Sequence, residues 1–186
     1  RAAKNAGIRA CVGLIVIDFP TVWASDATEY IDKGIAVHDS FRGDELITTC
    51  FSPHAPYTVS DQSLETIRSL AHEMDIPITM HVHETAHEIV QAVEKTGTRP
   101  LYRLHELGLV SPSLLAVHMT QVEHDEIEML ASSGCHVVHC PESNLKLASG
   151  FCPVAELYKS GINIALGTDG AASNNDLDML GEMRSA

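Results

Sequence analysis

Six short β-rich runs separated by amphipathic stretches predict an α/β protein built from repeated βα units around a parallel sheet. The run midpoints recur at intervals of about 20 to 37 residues, which leaves room for a helix between strands. Runs such as Cys11 to Ile17 are apolar without alternation, as expected of strands covered on both faces. Glycine follows several of the helical stripes, where a left-handed terminator is usual.

The first strand reads from Arg9 to Ile17 and the second from Leu46 to Phe51. Ser60 is then a helix N-cap, because Leu64, Ile67, Leu70, Ala71 and Met74 fall at helical spacing behind it. The third strand, Pro77 to His83, is followed by the stripes Ile89/Val90/Val93, ending near Gly97, and Leu101/Leu104/Leu107, ending at Gly108. Leu114 to Thr120 forms the fourth strand, and Ile127/Leu130/Ala131 the helix that stops at Gly134. The fifth, Cys135 to Cys140, precedes Val154/Leu157/Tyr158, which end at Gly161, and the sixth runs from Ile162 to Thr168. Two architectures fit this order, an open doubly wound sheet and a (β/α)8 barrel. No Gly-rich phosphate loop follows any strand, which weakens the dinucleotide-binding form of the open sheet. The barrel ordinarily takes about 250 residues and eight strands, and six are visible here.

The 186 residues carry 12 Lys+Arg against 25 Asp+Glu, a net charge of −13, with 45% hydrophobic and 20% charged residues. That is enough apolar material for a core and argues against disorder. The longest apolar run, Ala10 to Ile17, falls far short of the roughly 20 residues that span a bilayer, and nothing near Arg1 resembles a signal peptide. A soluble, cytoplasmic protein with no membrane partner is expected. An acidic balance without a Lys/Arg cluster argues against nucleic acid, since phosphate contacts need concentrated positive charge. Five cysteines, an odd set with no C-x-x-C pair, fit a reducing compartment and read as core thiols. Eleven histidines are many for this length and hint at chemistry, while a start at Arg1 instead of Met hints at truncation.

Unusual polar residues lie at or just past the strand ends: His54, His81 and His83 with Glu84, His118, His139 and Asp169. In a βα barrel that rim is where active sites are built. One histidine at a strand end is ordinarily a hydrogen-bonded structural residue, but five consecutive strands each bringing an acid or imidazole to the same rim point to a site. His72, His87, His105 and His124 fall on helices or loops and read as structural. His83-Glu84-Thr85-Ala86-His87 is a literal H-E-x-x-H, the zinc-peptidase motif, but that motif requires its first histidine to be helical and here it ends a strand.

Four motifs, Ser52-Pro-His-Ala-Pro-Tyr-Thr58, His81-Val-His-Glu-Thr85, His139-Cys-Pro-Glu-Ser-Asn-Leu-Lys-Leu147 and Gly167-Thr-Asp-Gly-Ala-Ala-Ser-Asn-Asn175, resemble the amidohydrolase superfamily. Within it they are most similar to the 5-methylthioadenosine/S-adenosylhomocysteine deaminases, the branch that includes triazine chlorohydrolases. The resemblance covers essentially the whole chain. It implies a metal-dependent partial (β/α)8 TIM barrel comprising strands three to eight. It also implies hydrolytic deamination of an adenosine-type purine to the inosine derivative and ammonia, the work of an aminohydrolase on cyclic amidines.

By this resemblance His81 and Asp169 are metal ligands, Glu84 is the proton shuttle and also touches substrate, His118 orients the attacking hydroxide, and His54 contacts the purine ring. His83 has no ligand role, although strand alternation would put it on the same face as His81. The cofactor implied is one divalent metal ion, Zn2+ first and Fe2+ second. A metal is apt because it lowers the pKa of water from about 15.7 to about 7. The partner implied is a small purine nucleoside, and a homo-oligomer is allowed. The alternatives are a sister amidohydrolase acting on a triazine or guanine ring and a non-catalytic metal-binding barrel.

The family also uses an H-x-H pair at the end of strand one, which this sequence lacks. The expectation is therefore an incomplete barrel domain over residues 1–186, without the N-terminal strands and flanking β domain. With two of the expected ligands it should hold metal weakly and be inactive by itself.

Overall fold

Every strand expected from the sequence forms in the computed structural model, which describes residues 1–186. β1 (Ala10–Val16), β2 (Ile47–Pro53), β3 (Ile78–Val82), β4 (Leu114–His118), β5 (His136–His139) and β6 (Asn163–Leu166) make a parallel sheet in that order. The chain divides into two compact units, Arg1–Met80 and His81–Ala186, with the boundary inside β3.

In the first unit β1 and β2 pair in parallel from Ala10↔Ile47 to Val16↔Pro53. Helices α1 (Ala2–Asn5), α2 (Ala27–Ser40) and α3 (Asp61–Met74) accompany them. Ser60 caps α3 by accepting from the Ser63 amide at 3.3 Å, and Asp75, left-handed at φ 53°, ends it. The core is Leu14, Val16, Tyr30, Phe51, Leu64, Ile67 and Met80, all buried. The stripe of α2 is less legible in sequence, because Gly34 sits in it and glycine disfavours helix by about 1 kcal/mol. The structure explains that glycine: a Cβ at Gly34 would stand 3.2 Å from the Leu14 Cβ, so its absence lets α2 press onto β1.

The second unit contains α4 (Ala86–Thr96), α5 (Pro100–Glu106), α6 (His124–Ser133), α7 (Pro141–Lys146), α8 (Val154–Lys159) and α9 (Met179–Ser185). Gly97 and Gly134 end α4 and α6 in the left-handed conformation. The parallel registers Ala116↔Val137 and Val137↔Ile164 line up one face, on which Leu114, Ala116 and Val137 are buried, while Leu115, Val117 and Val138 on the other face are only partly covered. Leu101, Leu104, Leu130 and Leu157 complete the core.

Cys50, Cys135, Cys140 and Cys152 are buried as expected, but Cys11 is exposed on β1, so it is not a core thiol. No helix is long and apolar enough to cross a membrane.

Candidate metal centre

His81, His118 and Asp169 each place one ligand atom within 4.8 Å of the other two. His81 comes from the end of β3, His118 from the last residue of β4, and Asp169 from the turn after β6. In parallel βα folds these strand ends face the same edge of the sheet. The imidazoles of His81 and His118 lie 5.3 Å apart, tilted by 32°. Two imidazoles and a carboxylate are a donor set suited to a divalent transition metal, and their mutual spacing fits a single ion.

The backbone around the cluster is unusual. His83 (φ 54°), His118 (φ 77°), Met119 (φ 49°) and Asp169 (φ 59°) are all left-handed without being glycine. Such residues cost about 1 to 3 kcal/mol each and gather at functional sites, where the surroundings hold them. At His118 the left-handed turn falls on the last residue of the strand, which is buried in phase with Leu114 and Ala116 and still lies within ligating reach of His81 and Asp169.

Left-handed backbone also separates His81 from His83, and corrects the alternation expected from sequence. β3 ends at Val82, so His83 has left the strand. Its Nε2 accepts from the Leu101 amide at 3.1 Å, its Nδ1 lies 3.6 Å from Glu126 Oε2, and the ring is fully buried. Burial, with the nearby Arg99 guanidinium adding to it, pushes its pKa down to about 3, so it is a neutral structural imidazole. The H-E-x-x-H pattern dissolves for the same reason: α4 starts only at Ala86, capped by Thr85, and its two histidines never share a helix face.

Glu84 stands beside these three residues without belonging to their group. Its Oε2 lies 3.8 Å from His118 Nε2, and Ser149 Oγ donates to its Oε1 at 3.4 Å. Its backbone is fastened on both sides. The Glu84 amide donates to Glu88 Oε2 at 2.8 Å, and Thr120 Oγ1 donates to the Glu84 carbonyl at 2.7 Å. Glu88 itself is buried, which raises its pKa against the lowering effect of the two amides it accepts from.

Asp169 Oδ2 accepts from Ser143 Oγ at 2.8 Å and Ser173 Oγ at 2.5 Å, and lies 4.0 Å from His118 Nε2. Burial works to raise its pKa, but these hydroxyls and the Gly170 amide outweigh it and hold the carboxyl below the usual range, hence ionised. His118 has its pKa lowered, chiefly by burial and against the opposing pull of Glu84. Both charge states are those a metal ligand needs.

His139 does not join the cluster. It lies in phase with Val137 on the buried face, and its Nδ1 has no hydrogen-bond partner. His54 belongs to the first unit, where its Nδ1 pairs with Thr58 Oγ1 at 3.0 Å and its ring meets Tyr57 edge-on at 6.1 Å. Ser143, Asn144, Ser149, Ser173 and Thr120 are site residues that periodicity could not find. The signal that could have found four of them is their position inside the His139–Leu147 and Gly167–Asn175 motifs or just beyond, at two strand ends.

Repeated βα units whose strand ends gather two imidazoles, a carboxylate and a further glutamate define a class, that of βα proteins with a cluster able to hold a metal at the C-terminal edge of the sheet. Within that class the chain belongs to the amidohydrolase family, whose profile matches residues 1–186. It is 52% identical over 185 residues to a 5-methylthioadenosine/S-adenosylhomocysteine deaminase of Saccharophagus degradans and 50% identical to that of Teredinibacter turnerae, covering 100% of this chain and 42% of each relative. The chain thus spans less than half the length of these relatives. A crystal structure of an adenosine deaminase from Xanthomonas campestris with bound zinc superposes with a TM-score of 0.96 at 55% identity, over 98% of this chain and 42% of that one. A triazine hydrolase from an Arthrobacter aurescens source, at 20% identity and TM-score 0.91, shares the fold. These solved structures make the parallel α/β sheet part of a TIM-barrel architecture.

Proposed function

We propose that this chain is the metal-site portion of a longer enzyme that hydrolytically deaminates an adenosine-type purine, such as 5-methylthioadenosine or S-adenosylhomocysteine, to the inosine derivative and ammonia. One observation carries the reading: a carboxylate outside the ligand set, Glu84, stands 3.8 Å from His118 Nε2, beside the His81, His118 and Asp169 cluster. A structural metal site has no use for such a group, whereas hydrolysis of an amidine requires a proton donor near the metal. The names of the relatives support the substrate class.

His81 and Asp169, with His118 within ligating reach, would hold the ion, zinc being the metal bound in the X. campestris relative. When bound, such a metal supplies an activated water at neutral pH. The remaining steps belong to side chains. Asp169, kept ionised by its hydroxyl donors, would accept the proton of the attacking water. Glu84, starting protonated, would give its proton to the ring nitrogen next to the reacting carbon, take one back from the carbon-bound hydroxyl as that becomes the oxo group, and pass it to the departing amine; the proton held by Asp169 then resets Glu84, so water and the amino-purine leave as the oxo-purine and ammonia. His118, with its Nε2 toward the cluster, would accept a hydrogen bond from the attacking water and so orient it. For His54, contact with the purine ring rests on its sequence motif alone. The pattern of a non-ligand glutamate beside a metal also serves the zinc nucleobase deaminases.

The test is to mix the zinc-loaded full-length protein with S-adenosylhomocysteine, 5-methylthioadenosine, guanine or a chlorotriazine and follow ultraviolet absorbance. Loss of adenine absorbance with the first two supports the proposal. Turnover of guanine or the triazine alone assigns the site to a sister reaction, and no turnover of any assigns it to metal binding without catalysis.

A further inference from the structure

Two adjacent residues of α7 reach two different members of the centre. Ser143 Oγ donates to Asp169 Oδ2 at 2.8 Å, and Asn144 Oδ1 lies 2.9 Å from His118 Nδ1. Both residues are buried, Ser143 completely and Asn144 to within 2%. α7 starts directly after β5 with Pro141 in its first turn, so the pair is delivered by a strand end and a helix turn whose φ is preset.

The two ring nitrogens of His118 are unequally served. A neutral imidazole has one ring proton to place. Nδ1 has an acceptor at hydrogen-bond distance, whereas the carboxylate oxygens nearest Nε2, on Glu84 and Asp169, are 3.8 and 4.0 Å away, beyond a hydrogen bond. The proton therefore belongs on Nδ1, which leaves the Nε2 lone pair turned toward the cluster. Asn144 buries its amide for that one contact, since its Nδ2 has no partner, an arrangement that stability alone disfavours.

We propose that Ser143 and Asn144 are a positioning pair: Asn144 sets the tautomer and rotation of His118, and Ser143 sets the rotation of Asp169. The inference rests on the reading of the cluster as a hydrolytic metal centre. Partners of this kind fix the tautomer and orientation of an imidazole that serves a metal through its other nitrogen. Here a single peptide unit would do so for an imidazole and a carboxylate at once, coupling the geometry of β4 to that of the turn after β6.

The test uses the full-length protein with 15N-labelled histidine, zinc-free and zinc-loaded, with the His118 signals identified by their loss in His118→Gln. Wild type is expected to carry the His118 proton on Nδ1. Asn144→Ala should shift it to a mixture of tautomers, and Asn144→Asp, which keeps an acceptor oxygen, should restore it. With S-adenosylhomocysteine, Asn144→Ala should lower kcat by about 10- to 100-fold with KM within a factor of two. Ser143→Ala should weaken zinc affinity by a similar factor without moving the His118 tautomer. A wild-type His118 protonated on Nε2 overturns the proposal whether or not the variants fold, as does an Asn144→Ala protein whose tautomer and kcat match wild type. If the full-length protein deaminates nothing, the functional reading fails while the tautomer measurement still decides the role of Asn144.

Discussion

Arg99 grips Glu126 at two points, Nε to Oε1 and Nη2 to Oε2, both at 2.8 Å, with the Glu126 carboxylate wholly buried. Glu126 also accepts the Glu123 amide at 2.9 Å at the start of α6 and faces His83 Nδ1. The pair therefore joins the α5 entry, the α6 cap and the imidazole two residues beyond His81. Removing one partner of a buried, hydrogen-bonded pair costs about 3 to 5 kcal/mol, because the other charge is left unpaired. Arg99→Met should lower stability by that order, read as a lower urea midpoint with an unchanged slope.

His81 and His83 should separate cleanly on substitution. If His81 holds the metal as proposed, His81→Ala should abolish stoichiometric zinc in the full-length protein, measured by atomic absorption after dialysis. His83→Ala should keep the zinc but lose about 1 to 3 kcal/mol, because the buried Leu101 amide loses its acceptor. The reverse outcome would exchange the two roles.

Glu84→Gln should retain zinc and the fold, since the amide that donates to Glu88 and the carbonyl that accepts from Thr120 are backbone groups untouched by the change. Turnover of S-adenosylhomocysteine by the full-length variant should fall by about 10^2- to 10^4-fold, the usual worth of a positioned proton donor. Full activity in this variant would remove Glu84 from the proton path.

Thiol labelling should report the buried cysteines through pH. Burial pushes Cys50, Cys135, Cys140 and Cys152 up to about 12, against an ordinary thiol value of 9.0. A raised thiol pKa means less thiolate at any given pH, so between pH 7 and 9 these four should stay nearly unreactive toward a maleimide while exposed Cys11 is labelled. Mass spectrometry should count one label on the native chain and five in denaturant.

Gly150 should not accept a side chain. It sits at φ 137°, and a Cβ there would approach Gln121 Nε2 to 2.5 Å and Thr120 Oγ1 to 2.9 Å. Thr120 is the residue that holds the Glu84 carbonyl. Gly150→Ala should therefore destabilise by about 1 to 3 kcal/mol in thermal or urea unfolding, and should also reduce turnover in the full-length protein, in contrast to Gly43→Ala, where the backbone is also left-handed but nothing lies within 4 Å.

The sequence by itself determined the six strands, most of the helices and the strand-end location of the chemistry. Those features follow from local periodicity, from caps such as Ser60 and from glycines such as Gly97 and Gly134, whose signals lie within a few residues of the element they end. Its motifs also determined the family. Tertiary structure decided which strand-end residues meet. Alternation assigned His81 and His83 to one face. β3 ends at Val82 and left-handed backbone at His83 takes it off that face, and such φ values on non-glycine residues persist because surrounding contacts hold them. The Ser143–Asn144 pair was likewise invisible to periodicity, since a six-residue helix is too short to carry a stripe and its partners, Asp169 and His118, lie 26 residues away in opposite directions along the chain.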